Sequence, residues 1–434
     1  MNNKCKIIVT DIDGIPRGKY VSKKKFESIK KDGINFCSVI FGWDSRDICY
    51  TNGVEFTGWH TGYHDINGEI DLYPWKLPSL NKEIYIGYFP KHMVCPRNLL
   101  INVIKDTLNK GFYVLSSFEY EWFNFLEDSH SIIGKTFNEL KPLTPGSFGY
   151  SAHRLSKNSE YVEDIMKTMD EIGVNIEGFH TETGPGVFEV ALEYCDSLKM
   201  TDMAVIFKMM VKEIGLRHGI LATFMSKISD KLAGSGCHIH QSLWSSQEIE
   251  PCFNYDENKE HGMSVLMKQY LAGQLYCLPH ILPMYAPNIN SYKRLVDGCW
   301  APTRVGWGIE NRTTTHRVII DKFGKGTRIE CRVAGADTNP YLVMAASIAS
   351  GIYGITNKLE LPPIVIDNAY EDNRLHVLSN NLLEATKKMK ESHIPYELFG
   401  KEFVDHYVKT REWEWEKFNE SITDWETKRY LEII

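Results

Sequence analysis

The 434-residue sequence predicts an α+β fold, with a small β domain over residues 1–95 and a large mixed α/β domain over residues 96–434. Three observations predict it. Short β-type runs crowd the first 95 residues, a helix opens at Pro96, and helical periodicity recurs to the C-terminus among further strands. A hydrophobic content of 43% and a charged content of 24% are ordinary for a folded chain. The net charge of −7 argues against a nucleic acid or an anionic membrane as partner.

In chain order, "KIIVTDID" reads as a strand and "GIPRGKYVS" as the turn and return strand of a hairpin. "FCSVIFGWD" reads as an apolar loop, and "IDLYPW" and "EIYIGYF" as two more short strands. Pro96 suits a first helical turn, and "RNLLINVIKDTLNKG" carries that helix to Gly111. Residues 201–217 are apolar at 203, 206, 207, 210, 211 and 214, a helical period whose Met-rich stripe reads as core. "NPYLVMAASIASG" opens a buried helix, with Asn339 as N-cap and Pro340 at its first position. From about residue 370 the chain is helical and charged. The apolar run 341–355 is too short and too rich in small residues to span a membrane. "MNNKCKIIVTDIDG" lacks the apolar stretch of a signal peptide, and the ten cysteines include no CxxC pair. The expectation is a cytoplasmic protein with reduced thiols.

Three strand-like segments space charged or imidazole groups two residues apart: Glu119 and Glu121 in "FEYE", His238 and His240 in "GSGCHIHQSL", and Arg328, Glu330 and Arg332 in "TRIECRV". On a strand, residues i and i+2 share a face, so each segment aims its polar groups one way. In "FHTETGPGVFEV", Glu182 and Glu189 flank a Gly-Pro-Gly turn that lets two carboxylates converge. Five carboxylates and His238 suit two hard cations, Mg²⁺ or Mn²⁺, better than zinc. Arg294, Arg312, Arg317, Arg328 and Arg332 add guanidinium forks for carboxylate or phosphate oxygens. With no Walker-type glycine loop or kinase signature, the set suggests ATP handled by a metal cluster beside an acidic co-substrate.

These segments resemble the glutamine synthetase superfamily over nearly the whole chain. "AGSGCHIHQSL", "NSYKRLVDG", "ENRTTTHRV", "RIECR" with "NPYLVMAA", "FEYE" and "HTETGPGVFE" carry the likeness. The resemblance implies an N-terminal β-grasp-like domain and a catalytic α/β domain with a guanido-kinase-like barrel. Its active sites lie between subunits of a homo-oligomer, typically a dodecamer of two hexameric rings. One metal would take Glu121, Glu182 and Glu189, and the other Glu119, His238 and Glu330. His240 would touch the ATP phosphates, with Ser242, Lys325 and Arg328 near the nucleotide. Arg294 and Arg332 would hold glutamate, with Gly234 beside it, and Arg312 and Arg317 would steady the transferred phosphoryl group.

The sequence departs from the family at the acceptor site. Ammonia-using members carry an aspartate where this chain has Cys37, a tyrosine where it has Phe148 (Tyr150 is nearby), and a glutamate where it has Trp300. Ala233 replaces an asparagine that touches the amino acid. Losing anions weakens ammonium binding, and Trp and Phe offer an apolar wall to an amine that carries carbon. The resemblance is thus nearest the γ-glutamyl-amine ligases, which join glutamate to polyamines, methylamine or aniline through γ-glutamyl phosphate. Glu182 is the candidate base for the amine. The alternatives are a glutamine synthetase using ammonia and a non-catalytic relative like lengsin; a guanidino phosphotransferase would leave "GSGCHIH" and "NRTTTHR" unexplained.

Overall fold

The computed structural model describes residues 4–434. The first sheet is built from β1 (Lys4–Thr10), β2 (Pro16–Ser22), β3 (Ile34–Cys37), β4 (Asp65–Ile70), β5 (Trp75–Leu77) and β6 (Lys82–Tyr88). Its order is β2-β1-β6-β4-β3, with β5 also on β6. β1 and β2 form the expected antiparallel hairpin. One local reading differs, and one helix was not read from the sequence. "IDLYPW" is not one strand: β4 ends at Ile70 and β5 begins at Trp75, because Asp71 accepts from the Tyr73 amide and turns the chain between them. A helix, Lys23–Asp32, follows β2, capped by the Ser22 side chain on the Lys25 amide; its lysine-rich surface hides the two buried positions, Phe26 and Ile29.

The second sheet comprises β7 (Phe112–Phe125), β8 (Ile176–Thr181), β9 (Val187–Leu192), β10 (Cys195–Asp196), β11 (Leu221–Thr223), β12 (Cys237–Ser245), β13 (Trp307–Ile309), β14 (His316–Ile319) and β15 (Arg328–Cys331). Its order is β13-β14-β15-β12-β7-β9-β8, with β10 and β11 also on β7. Helices Pro96–Asn109, Ser197–Arg217, Val265–Ile281 and Pro340–Thr356 form the adjoining layer. The strand period sorts the side chains. Phe118, Tyr120 and Trp122 of β7 are fully buried in the common core, as are Cys237, Ile239 and Leu243 of β12. Helices Val265–Ile281 and Pro340–Thr356 meet at glycines: a Cβ on Gly273 would stand 2.2 Å from the Ser350 carbonyl. That close crossing is why the run 341–355 is rich in small residues.

Buried polar ties lock the elements together. Arg97 makes two hydrogen bonds to Asp202, at 2.9 and 2.7 Å, and the Tyr341 hydroxyl donates to the same carboxylate. Asn339 caps its helix on the Tyr341 amide, as expected, and donates to the carbonyls of Asp11 and Ile12 in the β1–β2 turn. All ten cysteines are free. No described helix is long and apolar enough to cross a membrane.

His406 is buried with neither ring nitrogen hydrogen-bonded, and burial pushes its pKa down from 6.5 to about 3. Above pH 6.5 both folded and unfolded forms are neutral. Below it the unfolded chain takes up a proton that the folded chain refuses, so stability falls by about 1.4 kcal/mol per pH unit until pH approaches 3. Replacing it, as His406→Phe, is expected to flatten the pH dependence of the urea midpoint between pH 6 and 4 relative to wild type.

Candidate active site

The face of the second sheet opposite the helices gathers the polar residues. β7 pairs antiparallel with β12 and β9, so Glu119 lies opposite His238 and Glu121 opposite Glu189. His240 lies opposite Glu330 across β12 and β15, and Glu330 opposite Arg317 across β15 and β14. The two-residue spacings thus become one row across five strands. His238 Nδ1 is 3.3 Å from Glu119 and 3.5 Å from Glu330, and His240 Nε2 is 3.0 Å from Glu119. Arg332 Nη1 and Arg317 Nη1 reach Glu330 at 2.5 and 3.0 Å.

Charge compensation is uneven along this row. Burial opposes ionisation of Glu330, but Arg332, His238 and His240 outweigh it and hold its carboxyl down to about 2. Glu119 is likewise held below the usual range, against burial, by hydrogen bonds to His238 and His240. Glu121 is pushed up by burial and by the Glu189 charge facing it, although His238 and Arg294 pull the other way. A carboxylate pair that burial and mutual repulsion disfavour is what a cation relieves, and oxygen donors with imidazole suit Mg²⁺ or Mn²⁺. The residues therefore fit divalent cations. Two groups have ligand atoms within 4.8 Å of one another: Glu119, His240 and Glu330, and His180, Glu182 and Glu189.

The row has a cavity on each side. One, about 330 Å³, is lined by His240, Ser242, Lys325 and Arg328, with Glu119 and Trp244. Arg328 Nε donates to His240 Nδ1 at 3.1 Å, so the other ring nitrogen carries the proton and faces Glu119 at 3.0 Å. The second, about 40 Å³, is lined by Glu121, Glu182, Ala233, Gly234, Arg294, Cys299, Trp300 and Arg332. Arg294 is anchored there by donating to the carbonyls of Val333 and Arg332. A Cβ at Gly236 would lie 2.9 Å from His238 Nε2 and 3.0 Å from both Arg294 Nη2 and Glu121 Oε1, so only glycine leaves those groups in place. A larger cavity, about 800 Å³, lies between the β1–β2 hairpin and helix Ser197–Arg217 and contains none of the row.

Trp300 is 63% exposed at the mouth of the small cavity, with φ of 61°. A left-handed backbone is unfavourable for a bulky residue, so the loop holds the indole at a cost of about 1 kcal/mol. Arg312 is exposed on the loop between β13 and β14, with its charge felt at Tyr150. Phe148 and Cys37 do not line the small cavity. Phe148 lies beneath the Arg154 guanidinium at 4.4 Å, and Cys37, at the end of β3, donates to the Tyr63 carbonyl. Tyr150 instead stacks on His180, ring centroids 4.3 Å apart. His180 was missed by the sequence reading. Its signal was present: it stands two residues before Glu182, the same spacing that marked the other strands. Burial would lower its pKa, but Glu189, by hydrogen bond and charge, raises it to about 9.

A family model described as the catalytic domain of glutamine synthetase matches residues 93–430. The chain belongs to the glutamine synthetase family. Its fold is of glutamine synthetase type, as the sequence predicted, and it is a ligase of that family. Enzymes of the family use ATP and divalent metals. The chain is 46% identical over 441 residues to a type-1 glutamine synthetase 2 of Dictyostelium discoideum, covering 99% of this chain and 84% of that protein. It is 37% identical to a glutamate–isopropylamine ligase of a Pseudomonas species, covering 98% and 94%. It is 30% identical to a γ-glutamylethanolamide synthetase of Streptomyces coelicolor, covering 97% and 91%. A ligand-free GmaS structure superposes with a TM-score of 0.84 at 25% identity, covering 99% of this chain and 97% of that one. The nearness to amine ligases read from the sequence is thereby borne out.

Gly236 offers a direct test of how tightly the row is set. Gly236→Ala is expected to lower kcat/KM by about 10²-fold through displacement of the groups it would touch, while a cooperative urea transition is retained.

Proposed function

We propose that the protein joins the γ-carboxylate of glutamate to a small organic amine at the expense of ATP. The γ-carboxylate attacks the terminal phosphorus of ATP, releasing ADP and forming γ-glutamyl phosphate. The amine nitrogen then attacks the acyl carbon, phosphate leaves, and the amide forms. His240, Ser242, Lys325 and Arg328 are the nucleotide's side of this reading, supported by their shared cavity. The N–H of His240, which faces Glu119 at 3.0 Å, has the chemistry a phosphate oxygen needs.

Arg294 and Arg332 hold the amino acid, with Gly234 giving close backbone approach; all three line the small cavity. Arg317 and Arg312 offset charge on the transferred phosphoryl group. Two divalent cations, held by Glu121, Glu182 and Glu189 and by Glu119, His238 and Glu330, would supply neutralisation of the phosphates when bound. Glu182 accepts the proton that the amine must lose. It lines the same cavity as Trp300, and its Oε1 is oriented by the Thr183 amide at 2.7 Å.

One observation carries the amine reading: an indole, held in a left-handed backbone, occupies the mouth of the cavity that contains Arg294, Arg332 and Glu182. An aromatic wall there favours an amine bearing carbon over ammonium. The isopropylamine and ethanolamide relatives support it. The 46% identity to a type-1 glutamine synthetase favours a second reading, ammonia as acceptor. Cys37 and Phe148, expected at the acceptor site, do not line the small cavity, and Cys37 belongs to this proposal only through a neighbouring copy. The homo-oligomer, a dodecamer of two hexameric rings, is part of the same proposal.

The deciding assay supplies ATP, Mg²⁺ and glutamate with ammonia, methylamine, ethanolamine, putrescine, spermidine or aniline, and detects phosphate and the amide by mass. An organic amide is expected as the best product; glutamine as the best product would sink the amine reading. Trp300→Glu is expected to raise ammonia use relative to the preferred amine, read as the ratio of the two kcat/KM values. An unchanged ratio would remove the indole from the selectivity argument.

A further inference from the structure

The metal reading assigns Glu182 and Glu189 to one cation with Glu121, an all-oxygen set. The structure adds a fourth group. One nitrogen of His180 and one oxygen from each of Glu182 and Glu189 lie within 4.8 Å of one another. Ligands about 2.1 Å from an octahedral ion stand about 3 Å apart when adjacent and about 4.2 Å when opposite, so a small contraction would close this set on an ion. We propose that His180 is a nitrogen ligand of the cation held by Glu182 and Glu189, and that it biases this site toward Mn²⁺ over Mg²⁺. The inference rests on the two-metal reading above.

Three features orient the ring for that role. His180 Nδ1 lies 3.1 Å from the Thr181 carbonyl oxygen, which can only accept, so Nδ1 carries the proton. Nε2 faces the site, 3.6 Å from Glu189 Oε1, and a bound ion would displace the proton it carries there. A backbone carbonyl fixing one ring nitrogen while the other faces carboxylates is the arrangement that aims a histidine at a metal. Stacking on Tyr150, at 26° between ring planes, restricts the ring's remaining rotation. Glu182 Oε2 is 3.9 Å from Nδ1. Imidazole binds first-row transition ions far better than Mg²⁺, so selectivity follows from the donor.

The test loads the full-length protein with Mn²⁺ or Mg²⁺ and compares wild type with His180→Phe and His180→Gln, each checked for a cooperative thermal transition. Titration calorimetry gives the affinities, and pulsed EPR of the Mn²⁺ form reads nitrogen coupling. Each variant that folds is expected to bind Mn²⁺ at least about tenfold more weakly at one of two sites, with the Mg²⁺ affinity changed by less than about threefold. One class of nitrogen coupling should disappear and the His238 class remain. Two intact sites with unchanged Mn²⁺ preference and unchanged nitrogen coupling would overturn the role of His180 alone. Failure of the wild type to bind any divalent cation would overturn both this inference and the two-metal reading.

Discussion

Four carboxylates share one face of a sheet whose other face is the hydrophobic core, with Glu182 beside them just after β8, and the site depends on how their repulsion is met. The strand period makes the problem unavoidable. Phe118, Tyr120 and Trp122 must enter the core, so Glu119 and Glu121 must face away from it together. The chain meets half of the repulsion itself: Arg317 and Arg332 pair with Glu330, and two histidines pair with Glu119. The other half, around Glu121 and Glu189, has no arginine in hydrogen-bond contact and carries a raised Glu121 pKa. The asymmetry leaves that end of the row the more dependent on bound cations.

The same economy governs space. The glycines of "GSG" do not serve flexibility here. Gly234 and Gly236 let Arg294, His238 and Glu121 close to within a few ångströms of the backbone, and a side chain at either would collide with Arg294. Rigidity comes from beneath, where the bidentate Arg97–Asp202 pair and the Asn339 cap tie three core helices to the N-terminal turn. Against that scaffold the strained Trp300 backbone is affordable, and it turns an aromatic side chain toward solvent at the cavity mouth. A left-handed tryptophan is selected by position, since packing alone would favour a buried indole.

Much of the site was legible because strands have a short, fixed period. Spacing by two in "FEYE", "CHIH" and "RIECR" was enough to say which groups face one way. His180 escaped because only the register of β8 on β9 sets it opposite Glu189. The helix Lys23–Asp32 escaped because its apolar face is only two buried residues deep among lysines.

The sequence by itself determined the periodic quantities: which residues alternate, where Pro96 and Asn339 open helices, and which motifs mark the family. Register and loop trajectory were decided only by tertiary structure. Glu119 lies opposite His238 and Glu121 opposite Glu189 because β7 pairs with both β12 and β9. The partners lie about 70 to 120 residues apart in the chain, so no local period could encode the match. Phe148, Tyr150 and Trp300 lie on loops, where side-chain direction follows from individual backbone angles. Tyr150 and Trp300 have positive φ, and through it the structure puts Tyr150 on His180 and Trp300 over the small cavity.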